Sequence, residues 1–208
     1  MQTSGLPNLK TLEIRWFFRE DCHSLRSGFG RLPSEQLTRE SRTDNYLRLP
    51  GRDDLGIKIR QGRLEIKYRI CGPRAVEATP GIRGVQEGWE KLGFELTPDG
   101  IPRNLPGDFE AAWVKVAKQR LVTTVHLADG QWHFQPPQQS IPGAVQVEYT
   151  RIRLEGMQWY TFGVEWPHGD PPDLALAVVK EWGPPEGLKE GDSMGYPTFI
   201  RRLSERHA

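Results

Sequence analysis

Charged side chains alternate with apolar ones along two neighbouring segments of the sequence, 57–60 and 63–69. The charged face of these segments carries Lys58, Arg60, Arg63, Glu65, Lys67 and Arg69. A guanidinium group binds phosphoryl oxygens in a bidentate manner, and an ammonium group binds them as a point charge. The pattern therefore predicts a face that suits a phosphate-rich anion.

Further charges recur in the later alternating segments. Lys118 and Arg120 lie in the segment 113–127, and Glu148 and Glu165 lie in two segments that follow it. Carboxylates bind Mg²⁺ or Mn²⁺, and these ions bridge phosphates. If the strands close a barrel with these faces inward, repulsion among the cations favours a bound anion. In a half-exposed sheet the same face would be the solvated one, and the sequence leaves this alternative open.

An apolar period of two predicts the strands that position these side chains. In segment 9–19 the apolar face begins at Leu12, and the opposite face carries Glu13, Arg15 and Phe17. Short turns that contain glycine join several strands, at Gln61-Gly62, Asp129-Gly130 and Glu155-Gly156. With about eight strands and one or two helices, the pattern predicts a mainly β (α+β) fold, with an antiparallel sheet large enough to close into a barrel.

The other segments are predicted to be helices and loops. Val85, Trp89 and Leu92 share a helical face, which predicts a short helix over 85–92. A second helix is predicted to begin after Pro171-Pro172 and to end near Trp182. Three segments rich in glycine, proline or polar residues are predicted to be loops, namely 21–43 with at most one helical turn, 72–84 and 97–107.

Composition limits the class of protein. A length of 208 residues fits one large domain, 1–208. The net charge of +1 argues against nucleic-acid binding through bulk electrostatics, and the absence of a long apolar run argues against a membrane-spanning protein. Cys22 and Cys71 have no spacing typical of a zinc site, and two free thiols indicate a reducing compartment, the cytoplasm. Composition does not predict the oligomeric state.

Several segments together resemble the CYTH, or triphosphate tunnel metalloenzyme, superfamily. In chain order they are LEIR (12–15), TDNYL (43–47), GIKIR (56–60), LEIKYR (64–69), VAKQR (116–120), VEYT (147–150) and WYTFGVE (159–165). The resemblance extends from about residue 9 to about residue 200 and depends on the order of the motifs. It implies a single CYTH-like domain, an eight-stranded antiparallel tunnel-like barrel with a few short helices, that binds a small phosphate-rich anion. It also implies metal-dependent hydrolysis of a triphosphate as the activity of the family.

The resemblance assigns roles to particular residues. Phosphate-binding residues would be Arg15, Lys58, Arg60, Lys67, Arg69, Lys118 and Arg120. Glu13, Glu148 and Glu165 would be the ligands of Mg²⁺ or Mn²⁺ if the protein is an active hydrolase. The family signature on the first strand is Glu-x-Glu-x-Lys, and here the second glutamate is replaced by Arg15 and the lysine by Phe17.

This departure leaves three functions open. The first is a triphosphate phosphohydrolase, and the second is a sensor or carrier that binds a triphosphate or polyphosphate ligand without catalysis. The third is a β-barrel interaction module whose charged faces lie in solvent.

Overall fold

The computed structural model describes residues 9–96, 112–137, 141–184 and 187–205. Nine strands form one antiparallel sheet. Their bounds are β1 Leu9–Phe18, β2 Thr38–Leu47, β3 Leu55–Arg60, β4 Arg63–Thr79, β5 Ile82–Glu95, β6 Trp113–Ala128, β7 Gln131–Gln135, β8 Val145–Leu154 and β9 Met157–Pro167.

Eight of these strands close into a barrel. The sheet order is β2-β3-β4-β5-β1-β9-β8-β6-β7, and β2 also pairs with β6. The β2–β6 pairing runs from Thr38↔Val122 to Leu47↔Trp113, and β7 pairs with the remainder of β6 from Thr124 to Ala128. The prediction of a mainly β fold with an eight-stranded antiparallel barrel is confirmed. Closure leaves each barrel strand with one inward and one outward face.

Helices cover parts of this barrel. The α-helices of the described residues are α1 His23–Gly30, α2 Asp173–Trp182 and α3 Tyr196–Glu205. Helices α1 and α2 pack on the outer wall through a cluster that includes Leu25, Phe29 and Val178. Helix α3 covers one end of the barrel, where Phe199 stacks on Phe17 at 3.9 Å between ring centroids. Within the described residues, no helix is both long and apolar enough to cross a membrane.

The predicted helix over 85–92 is wrong, because these residues belong to strand β5. That strand pairs with β1 on one edge and with β4 on the other, so it is needed to continue the sheet. The helical spacing of Val85, Trp89 and Leu92 is outweighed by this pairing. Gly84 and Gly88 disfavour a helix and were the local signal against it.

Two predicted loops are also wrong. Segment 72–84 contains the end of β4 and the start of β5, and register shifts between Arg69 and Arg74 interrupt its period of two. Segment 21–43 contains α1 and the first part of β2. Because β2 has polar residues on both faces, it lacks the alternation of apolar and polar residues by which a strand is recognised in a sequence. Helix α3 was not predicted, and the predicted loop 97–107 lies outside the described residues.

Candidate functional site: the charged interior of the barrel

The barrel interior contains a dense set of ion pairs, which we call the lumen cluster. Its cations are Arg15, Arg42, Lys58, Arg60, Lys67, Arg69, Lys91, Lys118 and Arg120. Its carboxylates are Glu13, Glu40, Asp44, Glu65, Glu87, Glu148 and Glu165. Some of these pairs join strands that are not neighbours in the sheet, such as β4 and β1 in the pair Lys67–Glu13. Such pairs span an intervening strand, and Glu13 and Arg15 are buried, so the charged face is not a solvated outer face.

Exposure differs along the lumen. Asp44 is fully buried and Lys118 is 4 % exposed, and both lie near the aromatic residues of α3. The side chains of Lys91 and Glu40 are each 31 % exposed. Helix α3 fills one end, and the exposure of the charged side chains is higher towards the other end. A charged ligand that binds among these side chains would exchange water for their charges.

Arg15 lies at the centre of the first group in the lumen cluster. Its Nε donates to Glu13 Oε1 at 2.6 Å, and its Nη1 donates to Glu148 Oε1 at 3.0 Å and to Thr161 Oγ1 at 3.2 Å. Glu148 also accepts from Thr150 Oγ1 at 2.7 Å and from Arg120. One guanidinium group therefore bridges carboxylates of β1 and β8 across β9.

Gly163 provides the space for this guanidinium group. Arg15 and Gly163 are partners in the β1–β9 register. A Cβ atom at Gly163 would lie 2.5 Å from Arg15 Cζ, well inside van der Waals contact. The glycine in the segment WYTFGVE therefore permits Arg15 to lie flat against the wall of the barrel.

Asp44 lies at the centre of the second group. Lys118 Nζ is 2.8 Å from Asp44 Oδ2, Lys58 Nζ is 3.6 Å from the same oxygen, and Arg42 Nε is 3.2 Å from Oδ1. Lys118 also donates to the hydroxyl of Tyr46 at 2.8 Å. Burial lowers the pKa of Lys118 and of Lys58, against the opposing effect of Asp44. Arg42 also pairs with Glu40, and Lys58 also pairs with Glu65 at 2.9 Å, so Asp44 is the main carboxylate partner of Lys118 alone.

Three carboxylates occupy the third group. Glu13 is the register partner of Glu87 on β5 and of Glu165 on β9, so the three lie side by side. Each carboxylate has its own cation. Lys67 donates a hydrogen bond to Glu13, and Lys91 donates one to Glu165. Arg69 Nη2 lies 2.7 Å from Glu87 Oε1. Against the effect of burial, the cations lower the pKa of Glu13 and of Glu165, whereas burial raises the pKa of Glu87 in spite of Arg69.

Tyr196 of α3 adds an uncharged donor to the lumen. Its ring lies 3.9 Å from Lys118 Nζ and 5.3 Å from Arg15 Cζ, measured to the ring centroid. Its hydroxyl is buried and has no hydrogen-bond partner within the described residues. Burial raises the pKa of Tyr196, which keeps the hydroxyl protonated. A ligand oxygen at this position would accept the missing hydrogen bond.

The arrangement does not fit a divalent metal ion. Of the predicted ligands, Glu13 and Glu148 are both bonded to Arg15, and Glu165 is bonded to Lys91. No group of three or more His, Cys, Asp or Glu side chains in the described part of the chain could hold a metal ion. Since the guanidinium group of Arg15 lies between Glu13 and Glu148 and donates to both, a dication there would meet a fixed positive charge.

Most of the predicted phosphate-binding residues lie together in the lumen, including Lys58, Arg60, Lys67, Lys118 and Arg120. Arg69 is also there, but it is shared between Glu87 and the backbone carbonyl oxygen of Asp53. Sequence reasoning missed six members of the site, namely Glu40, Arg42, Asp44, Glu87, Lys91 and Tyr196. The available signal was the period of two in β2, which places Glu40, Arg42, Asp44 and Tyr46 on the same face of the strand.

Acid is expected to destabilise the protein from about pH 4.5 downward. Burial would raise the pKa of Glu13, but Lys67 and Arg15 outweigh it and hold the pKa below its ordinary value of 4.5. The pKa of Glu148 is lowered likewise, against burial, by Arg120 and Arg15. The unfolded state therefore takes up protons first, and stability falls as the pH falls through these values. Urea unfolding at several pH values tests this, and a constant midpoint from pH 7 to pH 3 would contradict it.

Comparisons with known proteins give distant structural likenesses. Neither a family model nor a curated protein matches the chain. The PH1012 protein from Pyrococcus horikoshii OT3 is 17 % identical, with a TM-score of 0.42, over 87 % of this chain and 93 % of that chain. The Pct1 RNA triphosphatase of S. pombe is 8 % identical, with a TM-score of 0.39, over 96 % of this chain and 80 % of that chain. At these identities and TM-scores, the likenesses do not assign a substrate to this chain.

Proposed function

We propose that the barrel binds a phosphate-rich anion, such as a triphosphate or polyphosphate group, without a divalent metal ion. The observation that carries this proposal is the excess of cations over carboxylates in the lumen cluster. Among the described residues, nine cations lie there with seven carboxylates, and three of the cations, Arg42, Lys58 and Lys118, surround Asp44. Charge of one sign in a poorly solvated interior is costly unless an opposite charge offsets it.

A chain of phosphates suits this interior better than a single anion does. The cations come from several strands, among them β1, β2, β3, β4 and β6, so a ligand with several charged groups would contact more of them at once. Arginine and lysine both donate charge-assisted hydrogen bonds to phosphoryl oxygens. The unpaired hydroxyl of Tyr196 supplies one more donor beside Arg15 and Lys118.

Arg15 supports binding without a metal ion. In a metal-dependent site, a divalent cation would neutralise neighbouring carboxylates and phosphoryl oxygens. Here a guanidinium group already contacts Glu13 and Glu148, and its delocalised charge is permanent. We therefore favour a protein that binds the ligand without hydrolysing it.

The replacement of Lys58 and Arg60 by alanine tests the proposal. The double variant is expected to bind tripolyphosphate at least about 100-fold more weakly, since each charge-assisted contact contributes roughly 1.5–3 kcal/mol. Isothermal titration calorimetry in the presence of EDTA measures this affinity. R52A/R83A is the matched control, because both arginines are largely exposed and lie outside the lumen cluster. Undiminished affinity in K58A/R60A would overturn the proposal.

Phosphate release distinguishes binding from hydrolysis. The wild-type protein is expected to release no phosphate from inorganic triphosphate, thiamine triphosphate or ATP, with Mg²⁺ or Mn²⁺ or with chelator. Metal-dependent release would replace the proposal by a phosphohydrolase that uses Glu13, Glu148 and Glu165 despite Arg15.

A further inference from the structure

A pocket of about 520 Å³ lies on the outer wall of the barrel, between α1 and strands β2, β6, β8 and β9. Its floor follows one rung of the sheet, in which Ser41 pairs with Gln119, Gln119 with Arg151, and Arg151 with Tyr160. These residues alternate with Arg120 and Thr150, neighbours whose side chains join the lumen network. The pocket therefore lies on the opposite side of the barrel wall from the lumen. Glu40 and Arg120 also contribute to its lining, so the two sites share one wall.

Arginine side chains surround this pocket. Arg39 and Arg151 are exposed, and neither forms an ion pair with a carboxylate in the described ranges of the chain. Arg151 Nη2 donates to the amide oxygen of Gln119, which leaves its charge uncompensated. Arg26 of α1 forms an ion pair with Asp21, with 3.1 Å between Nη2 and Oδ2. The side chains that remain available for a ligand are thus cationic, with geometry that suits a carboxylate or a phosphate.

Aromatic side chains form another part of the lining. The rings of Tyr149 and Tyr160 are stacked, with centroids 6.2 Å apart and planes inclined by 25°. Tyr149 is held in place because its hydroxyl donates to Asp21 Oδ1 at 2.6 Å and accepts from the backbone amide of Cys22 at 3.0 Å. Leu121 lies next to them in the lining. This surface offers apolar and aromatic contact beside the cations.

We infer that this outer pocket binds a small organic anion that carries a planar ring. The anionic group would lie between Arg39 and Arg151, and the ring would pack against Tyr160 and Leu121. The volume falls within the range of roughly 300–1,000 Å³ of small-molecule sites, which combine apolar surface with a few polar groups. The inference does not depend on phosphate binding in the lumen.

Phenyl phosphate is a suitable probe, since it combines a benzene ring with a dianion. Its affinity is measured by ligand-detected NMR titration without tripolyphosphate, because the arginines of the outer pocket would also bind that polyanion. The wild-type protein is expected to bind the probe, and R39Q/R151Q is expected to bind it at least about tenfold more weakly. The matched control is K115Q/R153Q, which removes two exposed cations of β6 and β8 outside the pocket.

A second variant tests the aromatic contact. Tyr160→Ala is expected to weaken phenyl phosphate binding while leaving the weaker binding of inorganic phosphate unchanged. Equal affinity in wild type and R39Q/R151Q would overturn the inference, and so would a wild-type protein that does not bind the probe. Loss of probe binding in K58A/R60A but not in R39Q/R151Q would assign the probe to the lumen and would likewise overturn it. If the lumen fails to bind tripolyphosphate, the R39Q/R151Q comparison still decides the outcome for the outer pocket.

Discussion

Replacement of Asp44 by asparagine is expected to lower the free energy of unfolding by about 3–5 kcal/mol, the usual cost of removing one partner from a buried ion pair. Asp44 is fully buried and compensates Arg42, Lys58 and Lys118. Asparagine has almost the same shape, so the change removes charge without creating a cavity. The three cations would then repel one another in an interior with little water.

Urea unfolding monitored by tryptophan fluorescence measures this effect. Asp54→Asn is the matched control, because Asp54 is exposed and pairs with the exposed Arg52, an interaction that contributes little. Tripolyphosphate is expected to stabilise D44N more than the wild type, since the ligand would replace the missing negative charge. If the unfolding free energy of D44N lies within about 1 kcal/mol of the wild-type value, the role assigned to Asp44 is contradicted.

Replacement of Arg15 by glutamine is expected to make the stability of the protein depend on a divalent cation. The variant leaves Glu13 and Glu148 without the guanidinium group that joins them, which is expected to cost about 3–5 kcal/mol. Mn²⁺ can then approach oxygen ligands on β1 and β8. At a free Mn²⁺ concentration of 100 times its dissociation constant, binding would raise the free energy of unfolding by about 2.7 kcal/mol.

Thermal unfolding with and without Mn²⁺ measures this effect, and the electron paramagnetic resonance signal of free Mn²⁺ reports binding independently of activity. The wild-type protein is expected to show no response to Mn²⁺. Arg31→Gln is a control at an exposed arginine outside the lumen cluster. If R15Q responds to Mn²⁺ no more than R31Q does, the guanidinium group does not occupy the position of a metal ion.

The two variants separate the two halves of the proposed function. D44N tests whether the lumen holds an excess of positive charge that an anion would offset. R15Q tests whether the protein has exchanged a metal ion for one of its own side chains. If D44N behaves as expected and R15Q does not, the lumen would still be expected to bind anions, and its carboxylates would remain available to a metal ion.

Local sequence was sufficient to assign the two faces of several strands. In β1 the alternation of Glu13, Arg15 and Phe17 with apolar neighbours placed these three on one face, and the structure has them in the lumen. The turn at Gln61-Gly62 defined the hairpin of β3 and β4 in the same way. Both features depend on the period of two and on turn chemistry, which act over a few residues.

Tertiary structure decided which of those charges meet. Arg15 and Glu148 are 133 residues apart, and only the order of β1, β9 and β8 around the closed barrel brings them within 3.0 Å. Segment 85–92 has helical spacing in the sequence but forms part of strand β5, because the sheet pairs it on both edges. Tertiary packing also places the ring of Tyr196 in α3 over Lys118. The sequence by itself therefore determined which charged side chains share one face of a strand, and closure of the barrel decided that this face points inward. The contacts of Arg15 with Glu13 and Glu148 depended on distances between strands, because Coulomb energies are set by separation and burial and not by position along the chain.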